Sequence, residues 1–326
     1  MLAVLAAALL VSVAAGVVFG AVPLSPGELA NALLGRGDAA NATIVRDLRL
    51  PRVLAAALVG GALAVAGALL QGMLRNPLAD PYVTGASAGG ALGAIAALAL
   101  LASAPSAVVP LAAFVGALAS VALVWRMARL GGRTTILTVL LAGIVLTSFV
   151  GAVVTLIIVA SDRLSLRLRA LLDVLVGGVS VRDPLELAAA AAVIGVAVVA
   201  AIALAPRVDA YAFGEETAAT LGIDTERTTA AVLVTTALLA GAAVALAGLV
   251  AFVGLVVPHA VRGALGARHR PLVLACFLAG ATALVLADLG ARVALAPAEL
   301  PVGVITGAIG GPFFLFLLVR SRRVAA

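Results

Sequence analysis

Apolar runs recur from one end of this chain to the other, and their length decides what it can fold into. Runs at 1–22, 51–73, 84–103, 107–125, 134–160, 185–205, 271–295 and 301–319 each approach the roughly 20 residues that carry an α-helix across a bilayer. In hydrocarbon every backbone N–H and C=O must find a partner within the protein, so such runs fold as helices. The composition agrees: 64% of the 326 residues are hydrophobic and 11% are charged, against about a quarter charged in a soluble domain. The expectation is an all-α polytopic membrane protein. With 34 glycines and only 4% aromatic residues, its helices are expected to pack closely through small side chains, not to line an aromatic channel. The first run has neither a basic leader nor a persuasive cleavage site, and reads as a retained helix.

A ninth run, 228–262, is too long for one crossing: its 35 residues would make a helix of roughly 52 Å. Charge resolves it. If 206–228 is cytoplasmic and the run crosses once, Arg268, Arg270, Arg320, Arg322 and Arg323 all fall outside, against the positive-inside rule. A reversal near Gly248–Gly254 brings them back. The result is ten spans with both termini cytoplasmic. Twelve of the 21 basic residues, all arginine, then face inward with six acids, and nine face outward with nine acids. This distribution also accounts for the sequence pI near 11.1 without a nucleic-acid partner. A faint repeat aligns 60–77 with 241–258 (Gly60, Gly67 and Pro77 among the matches), and implies inverted halves, spans 2–5 against 7–10.

Four stretches stand out from the apolar background. The charged island 206–228 must sit in water, and its middle reads as a short helix from Glu215 to Leu221 between Gly214 and Gly222. It is either a solvated loop or a handle for a soluble partner. Arg49-Leu50-Pro51-Arg52 lies at the outer mouth of span two, with Arg292 at the outer end of span nine. Arginine there pairs either with carboxylates of a partner or with Asp47, Asp288 or Glu299 of the same chain. Asn76, Pro77, Asp80 and Pro81 break the chain into a rigid inner turn. The segment 161–184 joins spans five and six on the outside.

Catalytic and metal signatures are missing from the sequence. There is no His-Glu-x-x-His, and without lysine no P-loop of normal form. His259 reads as a packing or capping residue, and the lone Cys276 as a buried thiol. Asp173, Glu186 and Asp288 lie near span ends, where charge is cheap, so no proton ladder crosses the membrane. The chain therefore conducts passively, follows an ion gradient as a secondary carrier, or draws energy from a partner.

Read together, Arg-Leu-Pro-Arg at 49–52, Gln71, Asn-Pro-Leu-Ala-Asp-Pro at 76–81, Gly-Glu-Glu-x-Ala-x-x-Leu-Gly at 214–222, Gly-Leu-Val-Val-Pro-His at 254–259, Ala-Asp-Leu-x-Ala-Arg at 287–292 and Glu-Leu-Pro-Val-Gly at 299–303 resemble the permease subunits of bacterial ABC importers for cobalamin, haem and ferric siderophores. The resemblance runs from about residue 20 to 320, and the ordered set is specific. It implies a single permease domain over 1–326, no catalytic activity and no cofactor in this chain, with ATP and Mg held by two partner ATPase subunits. It further implies a second copy of the chain and an extracytoplasmic substrate-binding protein. On this resemblance Gly214, Glu215, Glu216, Ala218, Leu221 and Gly222 form the ATPase-coupling helix. Arg49, Arg52 and Arg292 receive the binding protein, Thr134 and Thr135 form the cytoplasmic gate, and span five lines the pathway. The segment 172–184 lacks the aromatic residues of many siderophore permeases, which leaves the cargo open.

Overall fold

The computed structural model describes residues 1–324 except 21, 37, 102–106, 130–135, 162–163, 165, 182 and 297. Thr134 and Thr135 thus lie outside the described residues. The described chain is helical, with one isolated bridge pair, Leu295–Ala298, as its sole β feature.

The helices are α1 (Leu2–Val18), α2 (Pro26–Leu34), α3 (Ala39–Met73), α4 (Ala86–Leu100), α5 (Val108–Arg129), α6 (Ile136–Ala160), α7 (Leu168–Leu172), α8 (Pro184–Tyr211), α9 (Glu215–Thr220), α10 (Thr225–Ala247), α11 (Val253–Leu265), α12 (His269–Val293) and α13 (Val302–Val324). Six described helices (α3, α5, α6, α8, α10 and α12) are long and apolar enough to cross a membrane, and α1, α4, α11 and the 302–316 part of α13 are shorter apolar helices. The molecule is an all-helical membrane protein.

α3 is the central post. Nearly every residue from Val59 to Met73 is buried, and α12, α10, α11 and α8 pack around it. Close approach depends on small residues: a Cβ on Gly60 would stand 2.1 Å from the Gly280 carbonyl of α12, and one on Gly280 would stand 2.3 Å from the Gly60 carbonyl. Backbone therefore meets backbone there, a mode of helix packing that suits lipid. By contrast α6 is largely uncovered, with Leu137, Leu141, Ile144, Val145, Phe149 and Leu156 exposed.

The long ninth run breaks where charge required a reversal. α10 ends at Ala247, and 248–252 is not helical before α11 begins. The aligned stretch 60–77 instead continues as helix to Met73, so the two copies of the faint repeat differ locally. Two details depart from the sequence reading. α8 runs through Pro206 to Tyr211, shortening the island at its start. A short helix, α2, also precedes α3, and its signal was legible: Ser25 and Glu28 form a reciprocal capping box.

Candidate functional site

The island folds into a compact bracket around α9. Tyr211, 1% exposed, donates its hydroxyl to the Thr225 carbonyl at 2.9 Å and lies 3.2 Å from the Thr229 hydroxyl, which fastens the end of α8 to the start of α10. Gly214 precedes α9 at φ 105 and Gly222 follows it at φ 83, backbone states that side-chain-bearing residues reach only with strain. After α9, the Gly222 and Ile223 amides return to the Ala219 and Ala218 carbonyls at 3.0 and 3.1 Å, the paired bonds of a Schellman cap. Asp224 then caps α10 through the Arg227 amide at 2.9 Å. A six-residue helix is marginal alone; these ends and the buried Ala218 hold it.

The outward face of the bracket is unusual. Phe213 and Leu221 are 73% and 65% exposed, an aromatic and a leucine flanking Glu215 and Glu216. The acids suit the positive end of α9, whereas the apolar pair is expensive to leave in water. Phe213 was missed in the sequence, although an aromatic beside Gly-Glu-Glu in so aromatic-poor a chain was the available signal. Nearby, a methyl on Gly214 would come 3.7 Å from an Arg75 guanidinium nitrogen, so the bracket abuts the end of α3.

At the opposite arginine cluster the three expected residues do converge, and they are spent largely within the chain. Arg49, 6% exposed, donates to the Val17 and Val18 carbonyls at 3.1 and 2.9 Å and to that of Val22. Arg292, 3% exposed, donates to Gly16 and Phe19 carbonyls at 2.9 and 3.3 Å. Both arginines thereby satisfy the orphan carbonyls at the end of α1, where cations are favoured. A π-turn over Ile44–Arg49 within α3 widens the helix just where Arg49 turns inward.

Asp288 is fully buried, not at a cheap outer position as its sequence location implied. The reason is pairing: its carboxylate lies 2.9 Å from Arg52 Nε and 3.0 Å from Arg292 Nε. Arg52 also reaches Glu299 at 2.7 Å. Asp288 and Glu299 thus serve as the same-chain partners, and Asp47 does not among the described residues. Two carboxylates face three guanidiniums, so the cluster keeps a positive excess. All three arginines line a cleft of about 300 Å³ with Leu48, Val179 and Val181. Beside it a cavity of about 890 Å³ lies between Arg52, Glu299, Pro301, Leu168 and Leu172.

The inner turn is more deeply engaged than its sequence indicates. Asn76 and Asp80 cap local amides: Leu78 N–H at 2.9 Å and Tyr82 N–H at 2.8 Å. Burial pushes the Asp80 carboxyl up to about 6, although the Tyr82 amide opposes the rise. Tyr82 accepts the Val250 amide at 3.1 Å, giving a partner to backbone in the non-helical 248–252 break. Another buried link escaped the sequence altogether: His269, 2% exposed, places Nδ1 2.6 Å from Asp209 and donates its backbone N–H to the same oxygen at 2.9 Å. Nothing local signals a pair 60 residues apart.

The described residues form a helical membrane bundle with a bracketed surface helix and a charged cleft. The FecCD transport family matches residues 8–320, and the chain belongs to that family. It is 38% identical over 280 residues to a hemin transport system permease protein of Yersinia pestis, covering 85% of this chain and 83% of that one. It is 40% identical over 319 residues to a vitamin B12 import system permease protein of Vibrio vulnificus, covering 97% and 95%. A metal-chelate type ABC transporter solved in an inward-facing conformation superposes with TM-score 0.85 at 27% identity, over 98% of each chain. The family is one of ABC transporter permease subunits, not of enzymes.

Proposed function

We propose that this chain is the membrane half of an ATP-driven importer that moves a metal chelate of the haem, cobalamin or ferric-siderophore class. The observation that carries the mechanism is the bracket: a short helix pinned at both ends, with exposed Phe213 and Leu221 beside two carboxylates. Such a helix fits a groove on an ATPase subunit, and its seat between α8 and α10, fastened by Tyr211, passes movement to both. The chain supplies no cofactor; ATP and Mg belong to the two ATPase partners. A gradient-driven carrier is disfavoured by the family and by the pairing of Asp288 with two arginines.

The remaining architecture follows the same reading. Ten crossings arise if the four shorter apolar helices also span, with inverted halves, both termini inside the bacterial inner membrane, 206–228 inside and 161–184 outside. The uncovered face of α6 meets a second copy and lines the pathway, with Thr134 and Thr135 as its inner gate. Arg49, Arg52 and Arg292 hold a positive cleft into which carboxylates of a substrate-binding protein dock. Because Arg49 and Arg292 are buried while the Arg52 side chain is 22% exposed, Arg52 carries most of the contact.

The test is reconstituted uptake with the ATPase and binding protein. Glu215→Gln with Glu216→Gln and Phe213→Ser is expected to uncouple ATP hydrolysis from uptake while binding-protein affinity stays unchanged. Normal uptake by this variant would sink the coupling role. Arg52→Glu should weaken docking in a salt-dependent manner; unaltered affinity removes the cleft from the interface.

A further inference from the structure

α11 contains a proline at its sixth position, Pro258. Proline has no N–H, so the Gly254 carbonyl, four residues earlier, loses its helical donor, and the pyrrolidine ring pushes that carbonyl outward. In a membrane-spanning protein such an oxygen must be served by another part of the chain.

A donor reaches toward it from α3. Gly67 leaves a notch there: a Cβ on it would lie 1.7 Å from the Gly254 oxygen. One turn further along, the Gln71 carboxamide nitrogen lies 3.4 Å from the Gly254 oxygen and 3.1 Å from the Leu255 oxygen. The same nitrogen lies 3.3 Å from the Ala79 carbonyl in the inner turn. Gln71 is 4% exposed, so these contacts are made away from water. Pro81 closes the assembly, its ring so near Gly254 that a Cβ there would meet it at 2.6 Å. One amide therefore ties three separate pieces of chain: α3, the 76–81 turn and the start of α11. The end of α3 then runs directly to Arg75, which holds a left-handed backbone at φ 49 and abuts Gly214 of the bracket.

We propose that Gln71 is a positioning residue for transport: it locks the start of α11, ahead of Pro258, to α3 and the inner turn, so that all three move as one body when the bracket is displaced. Without the tie, α11 bends at Pro258 and absorbs the displacement. The proposal rests on the importer reading above, and wild-type uptake separates the two: if the wild-type complex hydrolyses ATP without uptake, it is that reading that fails.

The experiment measures uptake and ATP hydrolysis together in proteoliposomes holding the complete complex, with thermal stability of the complex in parallel. Gln71→Met keeps the size and removes the donor. The expected result is a fall of about tenfold in substrate moved per ATP, with lowered stability. Adding Pro258→Ala returns an N–H to the Gly254 carbonyl within α11, and should recover part of the stability without recovering transport per ATP. Recovery of both shows that Gln71 merely satisfies a carbonyl, and overturns the proposal, as does an unchanged ratio in Gln71→Met. A second measurement avoids altering Gln71. Spin labels on cysteines at Pro77 and Gly263, on the exposed turn and in the open space beside α11, should keep their separation through the ATP cycle. A change of about 2 Å or more means that the pieces do not move together, and overturns it equally.

Discussion

Asp288 has no exposure to water and two guanidiniums against its carboxylate. Removing one member of a buried charge group leaves the others unpaired, typically at about 3–5 kcal/mol. Asp288→Asn is therefore expected to lower markedly the thermal midpoint of the purified permease, because Arg52 and Arg292 then share only Glu299. Glu299→Gln, at a half-exposed position, should cost no more than about 1 kcal/mol. Equal effects of the two substitutions would show that burial does not govern the cluster. The sequence named Arg49, Arg52 and Arg292 because their pattern is local, within a helical turn or at a span end. It could not show that two of them are spent on the carbonyls of α1, since those carbonyls belong to backbone that folding brings near.

Short elements in this protein are held by their ends. For α9 the decisive residue is Gly222 at φ 83; a side chain there costs roughly 1–2 kcal/mol in backbone strain. Gly222→Ala should loosen α9 selectively, seen as faster amide exchange over 215–223 with the membrane helices unchanged. Protection equal to wild type would refute the cap argument. For the long helices the decisive contacts are backbone to backbone. Gly60→Ala forces a methyl to within 2.1 Å of the Gly280 carbonyl, so α3 and α12 must separate. The expected outcome is low recovery of folded protein from detergent, whereas Gly27→Ala, with open space around it, should be neutral. Glycine-bounded α9 was readable in the sequence, since the punctuating residues adjoin the helix. The pairing of Gly60 with Gly280 was not, since one glycine among 34 carries no mark of its partner.

Across the whole molecule, α6 and α8 are the least covered of the long apolar helices, and on α6 Leu141, Ile144, Val145 and Phe149 remain exposed. If this face meets a second copy, cysteine at Leu141 or Phe149 should cross-link two chains in native membranes, and cysteine at the equally exposed Val196 of α8 should not. Cross-linking at α8 alone would place the dimer on the other side. The uncovered face also explains why span five looked ordinary in sequence: an apolar helix facing lipid and one facing a partner have the same composition.

Hydropathy, helix-breaking residues and the positions of arginine are local properties, and they sufficed for the all-helical membrane class, for the break after Ala247 and for the position of α9. Each of those features depends on how a stretch of chain meets water or lipid, which the stretch itself specifies. Tertiary structure alone decided that Gln71 reaches the Gly254 and Leu255 carbonyls ahead of Pro258, that His269 grips Asp209, and that Asp288 is hidden between Arg52 and Arg292. These are bonds between residues tens to hundreds of positions apart, and their partners become defined only when the helices have packed. The sequence thus holds the family motifs as separate words; packing brings Gln71, Ala79 of the 76–81 turn and the Gly254 and Leu255 carbonyls together.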